Sequence, residues 1–211
     1  MNTAFTHTHT YTYTPVASPR RIIIGISGTS GAVYGARLLQ VLQDTPGVES
    51  HLMVTDAGWH HLQNELNMDR DFIESMADQV HDARDVGALI ASGSLACSAM
   101  VIAPCSMRTL AALAHGLGDN LLTRTADMML RERRRLVLLT TDAPLHLTHL
   151  RNMLSVTEMG GIVCPPVPGF DLHPQTIGDI VNDSVARVLD LLDVPHRLSQ
   201  HGNDVELAEA A

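Results

Sequence analysis

Aromatic residues are scarce in this chain: phenylalanine, tyrosine and tryptophan together make up 3% of its 211 residues. A surface that stacks single-stranded bases needs several exposed rings, so that class of function is disfavoured. Positive charge is short as well, with 14 basic residues against 23 acidic ones and a formal net charge of −9. Nonspecific binding to a nucleic-acid backbone is therefore not expected, although a local basic cluster can still hold a small anion. Cys97, Cys105 and Cys164 are odd in number and show no paired metal-ligand spacing, which argues against both a disulfide framework and a zinc site. Each is expected to be a small buried residue in a reducing compartment. No apolar run approaches the length that spans a bilayer, and the N-terminus lacks the apolar core of a secretory signal. These absences predict a cytoplasmic protein that binds neither nucleic acid nor membrane.

What the chain does have is a core. Hydrophobic residues make up 45% of it, and the length suits one domain that needs no cross-links. Residues 1–19 alternate threonine with histidine or tyrosine and offer no apolar face, so they read as a disordered tail. The folded domain is expected over residues 20–195, with a polar, mobile tail over 196–211.

The organising stretch begins at Ile22. An unbroken apolar run to Ile26 reads as a strand buried on both faces, as in a parallel sheet. It leads into Gly28-Thr29-Ser30-Gly31, where glycine permits a tight turn and close backbone approach by a ligand. Helical spacing of Tyr34, Leu38, Val41 and Leu42 follows. A strand, glycine turn and helix in that order would present amide groups and the positive end of a helix to an anion. Neither usual nucleotide signature fits, because there is no Walker lysine and no third glycine at the dinucleotide spacing.

Further strands are predicted over 48–54, 99–103, 136–139 and 161–164, alternating with helices. That alternation predicts an α/β, Rossmann-like three-layer fold with a parallel sheet covered by helices on both faces. Thr55 ends the second strand, where open parallel sheets present ligand-binding groups. Pro104-Cys105-Ser106-Met107-Arg108-Thr109 forms a second loop at the start of a helix, with Ser106 placed as its N-cap. Arg124 and Arg131 lie on a helix over 121–134, and Arg187 on a final helix over 175–192. Adjacent His60 and His61 point to different helix faces and make a poor chelate. His146 and His149 are read as capping or packing residues on a helix.

Five motifs in this order carry a resemblance: Gly25-Ile26-Ser27-Gly28-Thr29-Ser30-Gly31-Ala32, Pro104 to Leu110, Arg131-Glu132-Arg133-Arg134, Ala143-Pro144-Leu145-His146-Leu147, and Pro165-Pro166-Val167-Pro168-Gly169-Phe170. Together they resemble the UbiX-type flavin prenyltransferases over about residues 20–195. The resemblance implies FMN as cofactor and a homo-oligomer, most often a dodecamer, with the flavin at a subunit interface. It also implies transfer of a dimethylallyl group from dimethylallyl monophosphate to reduced FMN, at N5 and C6 and without a metal. The prenylated flavin then serves a separate UbiD-type decarboxylase. Carried over by position, Gly28, Thr29, Ser30, Thr55, Ser106, Met107, Arg108, Thr109 and Thr141 would hold the flavin. Arg124, Arg131, Asp171 and Arg187 would bind the allylic phosphate, and Glu65, Arg131, Asp142 and Ser30 would be catalytic.

Several of these positions depart from the family pattern. Arg131 stands where the family has a phosphate-binding lysine, Thr141 where it has an arginine, Asp142 where it has a glutamate, and Asp171 where it has a tyrosine. One lost cation and one gained carboxylate change the local charge by two units. A like-charge contact near 4 Å at a partly shielded site costs about 4 kcal/mol, although Arg131 could neutralise Asp171. The alternative is an FMN-binding relative that does not prenylate. A cysteine decarboxylase of the wider family stands third, because residues 88–100 lack the histidine that branch is expected to carry.

Overall fold

β-Branched residues buried on both faces make the centre of a parallel sheet, and β1 (Arg20–Ile26) is built that way, with Ile22, Ile23, Ile24 and Ile26 at 0% exposure. Each such side chain contributes about 1.5–3 kcal/mol relative to an exposed one. The computed structural model describes residues 19–198. The predicted N-terminal tail and most of the C-terminal one therefore lie outside the described residues. Residues up to 198 still belong to the packed body: His196 Nε2 lies 3.0 Å from Asp190 Oδ1, and Leu198 packs against the core.

In chain order the other elements are α1 (Ala32–Gln43), β2 (Val48–Val54), α2 (Asp56–Leu66), α3 (Arg70–Ser75), β3 (Gln79–Asp82), β4 (Cys97–Ile102), α4 (Met107–Ala114), α5 (Leu121–Arg131), β5 (Arg135–Leu138), α6 (Leu147–Glu158), β6 (Ile162–Val163) and α7 (Ile177–Leu191). Short 3-10 turns cover Leu89–Ser92 and Phe170–Leu172. The sheet order is β3-β2-β1-β4-β5-β6, and every pairing is parallel. Ile22, Ile24 and Ile26 face Leu38 and Leu42 of α1 and Val185 and Leu189 of α7. Ile23 joins the opposite face, under Leu110 and Leu113 of α4 and Leu122 and Met129 of α5. The expected three layers are present.

Three local readings need correction. The sheet has six strands, not five: β3 is a four-residue edge strand, Gln-Val-His-Asp, with no apolar alternation to reveal it. The helix predicted to run to residue 134 ends at Arg131, because Arg133 turns back with φ 55° and the chain enters β5 at Arg135. The helix expected to carry His146 begins one residue later, at Leu147; His146 takes the expected capping role, accepting from the Thr148 amide, and its ring stacks on His149 with centroids 3.6 Å apart.

Crossover helices of a parallel sheet all begin at the carboxyl ends of the strands and finish at the opposite edge. Arginines gather at that opposite edge and receive the helix C-termini. Arg20 donates to Asp193 O at 2.7 Å just beyond α7, and Arg133 donates to Met159 O at 3.3 Å just beyond α6. The other edge is left for ligands.

Candidate functional site

The first connection out of β1 goes to β2 on one side, and β4 is laid down on the other. The crevice between the β1 and β4 carboxyl ends is the topological switch point, where open α/β sheets bind ligands. Ser27 stitches its two walls together. Its hydroxyl donates to Pro104 O at 2.9 Å and accepts from the Ser106 amide at 2.8 Å, and its amide also donates to Pro104 O. Residue pattern alone did not single out Ser27, since a buried serine 77 positions from its partner has no local signature.

A cleft of about 310 Å³ opens beside this seam, at the small end of ligand pockets. It brings together five of the predicted flavin-binding residues, Gly28, Thr55, Ser106, Arg108 and Thr109. Two helices start in it. Thr55 caps α2, accepting from the Gly58 amide at 3.0 Å, and Ser106 caps α4, accepting from the Thr109 amide at 3.2 Å. The Thr109 hydroxyl completes the set 3.0 Å from Ser106 Oγ. Arg108 stands at the rim, bound to Asp119 at 2.6 Å. Sequence reasoning missed Asp56, Arg84 and Asn120, which also line the cleft. Arg84 is gripped by Asp82: Nε and Nη2 reach its two carboxylate oxygens at 3.1 Å each, and the Arg84 amide donates at 2.9 Å. Those bonds raise the Arg84 pKa and lower that of Asp82.

Gly28 is required here by the chain's own packing. A Cβ on it would lie 2.3 Å from the Ala57 Cβ at the start of α2, inside any tolerable contact. Met107 opens α4 but packs against the apolar cluster below instead of lining the cleft.

The glycine turn does not present the start of α1 to an anion in the expected way. The Glu65 carboxylate, arriving from α2, already occupies it. Oε2 accepts from the Gly31 and Ala32 amides at 3.0 and 2.9 Å, and Oε1 lies 3.1 Å from His61 Nδ1. Gly31 sits at φ 106°, a left-handed value that favours glycine. Thr29, Ser30, Thr141 and Asp142 meet around the same turn: Thr141 donates to Ser30 O at 2.6 Å, and Thr29 to Asp142 Oδ1 at 3.3 Å. Thr141 thus fastens two loops and supplies no positive charge. Beneath them Cys105 is fully buried, and burial, with Asp142 nearby, pushes its thiol far above the ordinary range, so it is no nucleophile.

The four residues expected at an allylic phosphate are spread over three elements. Arg124 and Arg131 lie on the exposed stripe of α5, an otherwise buried helix. Arg131 pairs with Asp127 at 3.0 Å, and not with Asp171. Arg187 lies 3.2 Å from the buried Asp183 carboxylate. Asp171, on the 3-10 turn, is drawn toward the same place, since a Cβ on Gly169 would touch Asp183 Oδ2 at 3.4 Å and Asp171 Oδ1 at 3.5 Å. Among the described residues, no group of three or more His, Cys, Asp or Glu side chains could hold a metal ion. No helix there is long and apolar enough to cross a membrane.

The Flavoprotein family model matches residues 11–189. The flavin prenyltransferase UbiX of Salmonella typhimurium is 48% identical over 176 residues, which cover 83% of this chain and 93% of that protein. The crystal structure of AnUbiX in complex with FMN and dimethylallyl pyrophosphate superposes with a TM-score of 0.86 at 40% identity, covering 89% of this chain and all of that one. A dodecameric FMN-dependent UbiX-like decarboxylase from Escherichia coli O157:H7 gives 0.85 at 38% identity, covering 87% and 100%. The chain belongs to the flavoprotein family and, within it, to the UbiX-type flavin prenyltransferases.

Proposed function

We propose that this protein transfers a dimethylallyl group from dimethylallyl monophosphate to reduced FMN. The observation that carries the reading is the meeting, in one switch-point cleft, of two capped helix N-termini, three hydroxyls and two arginines, beside a glycine turn closed by a carboxylate. This donor set suits a monophosphate. The cleft of about 310 Å³ would hold the phosphorylated arm of FMN through Thr55, Ser106, Thr109, Arg84 and Arg108. Thr29, Ser30, Thr141 and Asp142, which meet at the neighbouring turn, would hold the flavin ring. Bound reduced FMN supplies the nucleophilic N5 and C6 positions.

The chain's own residues do the rest. Glu65 and Asp142 are the two carboxylates at the turn and are assigned to proton movement. Arg124, Arg131 and Arg187 stabilise the charge of the departing phosphate as the allylic C–O bond breaks. They lie on two elements of one copy, α5 and α7, and assembly of copies would gather them. α6 offers a surface for that assembly: Leu147, Leu150 and Leu154, spaced along one stripe, are 59%, 49% and 58% exposed. A homo-oligomer follows, with a dodecamer as its form, and the product passes to a UbiD-type decarboxylase.

Thr141 and Asp171 favour a second reading, an FMN-binding protein that does not prenylate. Thr141 is committed to Ser30 O, and Asp171 adds a carboxylate near the Asp183–Arg187 pair. Anaerobic incubation with reduced FMN and dimethylallyl monophosphate separates the two. Flavin gaining the mass of one dimethylallyl group supports prenyl transfer, and unaltered bound FMN supports the second reading.

A further inference from the structure

We propose that Arg84, held at the cleft rim by Asp82, is the phosphate-recognising cation of the flavin site and selects FMN over its unphosphorylated form. The inference rests on the flavin reading and concerns a residue that none of the five motifs contains. A guanidinium has two edges that can each make a pair of parallel hydrogen bonds. Asp82 takes the edge formed by Nε and Nη2 and fixes the plane of the group, while the Arg84 amide ties the backbone to the same carboxylate. The edge formed by Nη1 and Nη2 is left to meet two oxygens of a phosphate. A carboxylate brace of this kind holds the group ready, so less side-chain freedom is lost on binding.

The charges around the cleft require such a group. Asp56, in the first turn of α2, lines the cleft and would repel a dianion there. Arg84, paired first with Asp82, also lies close enough to Asp56 to be stabilised by it, and so places a cation beside the carboxylate that lines the cleft. Arg108, which also lines the cleft, lies in the first turn of α4, where the helix dipole disfavours a cation until an anion arrives. It makes one bond to Asp119, against the fork that holds Arg84. The sequence contains no lysine, so every side-chain ammonium alternative is absent and geometry decides which guanidinium leads.

Dissociation constants for FMN and riboflavin, read by quenching of flavin fluorescence, test this in the full-length protein. Wild type is expected to prefer FMN. Arg84→Gln should weaken FMN roughly 10- to 100-fold, the range for one hydrogen-bonded charge pair, and leave riboflavin within about twofold. Arg84→Lys should recover part of the loss by charge alone, and Asp82→Asn should show an intermediate loss by freeing the fork. Unchanged FMN affinity in Arg84→Gln, or riboflavin weakening in step with FMN in both Arg84 variants, would overturn the assignment. A wild type that binds both flavins equally would also overturn it while leaving the flavin site in place. A wild type that binds neither would remove the flavin reading itself and this inference with it.

Discussion

Glu65 is asked to do two things, and they can be pulled apart. Its carboxylate closes the N-terminus of α1 through the Gly31 and Ala32 amides, and it is one of two acids at the proposed flavin turn. Its side chain is only 24% exposed, so these bonds are partly shielded from water. Replacing Glu65 with alanine strands both amides, a loss comparable to a removed N-cap at about 1 kcal/mol. Loss of the negative charge from a helix N-terminus adds about 0.3–1 kcal/mol. Together the cost is about 1.3–2 kcal/mol. Glu65→Gln keeps an oxygen that accepts from both amides and loses only the charge, so its cost stays below about 1 kcal/mol.

Activity should not follow that order. An amide moves no proton, so both variants should lose on the order of 100-fold or more in product formation. Urea unfolding, compared by midpoint at constant slope, reads the first property. Single-turnover prenylation of reduced FMN, followed by product mass, reads the second. A glutamine variant within about threefold of wild type in rate would refute the proton role. An alanine variant as stable as wild type would refute the cap.

Three further outcomes follow from named contacts. Gly28→Ala forces a Cβ against Ala57 and should cost about 1–3 kcal/mol by overpacking while parting the loop from α2; a thermal midpoint and FMN content matching wild type would show the contact is not limiting. Leu150→Glu, in the exposed α6 stripe, should yield a smaller species in sedimentation with unchanged circular dichroism, and an unchanged particle size would remove α6 from the interface. His51 and His81, 2.9 Å apart on β2 and β3, both have pKa values lowered from 6.5, mainly by burial. Stability from keeping them neutral is full above about pH 6.5 and is lost as pH falls below it toward their folded values. Urea unfolding at pH 7 and 5.5 should show that loss in wild type and much less of it when both are glutamine; equal pH dependence in the two proteins would assign the loss to other groups.

The fold was legible where burial writes itself into composition. β1 and the core of β4 are apolar runs and β2 ends on one, Leu52-Met53-Val54, and the turns after them carry glycine, threonine or proline, so both the layers and the loops at the switch point could be read. β3 could not, because an edge strand of four residues needs no apolar alternation, and Val80 is itself exposed. Caps were legible one at a time, as Ser106 was. What they jointly enclose was not. Arg84 and Asp82 form a recognisable local pair, yet nothing local places Arg84 in one cleft with Arg108. Glu65 lies 33 residues from Ala32, and only the packing of α2 beside α1 turns a helix-surface carboxylate into the cap of another helix.

That cap also explains how the site can hold carboxylate and phosphate side by side. Like charges a few ångströms apart repel by several kcal/mol where water is partly excluded. The protein separates them by helix end. A helix N-terminus carries roughly half a positive charge, spent within its first turn. The α1 N-terminus is satisfied by Glu65, so the glycine turn that resembles a phosphate loop is already neutralised from within the chain. The α4 N-terminus, capped by the neutral hydroxyl of Ser106 and with no acid in its first turn, keeps its partial charge for a ligand, while that of α2, capped by Thr55, is shared with Asp56. On the proposed assignment a phosphate would be drawn to the cleft of Thr55, Ser106 and Arg84 and kept off the turn, where Glu65 and Asp142 would serve proton movement. In that assignment the turn would serve the flavin ring and the neighbouring helices its charge.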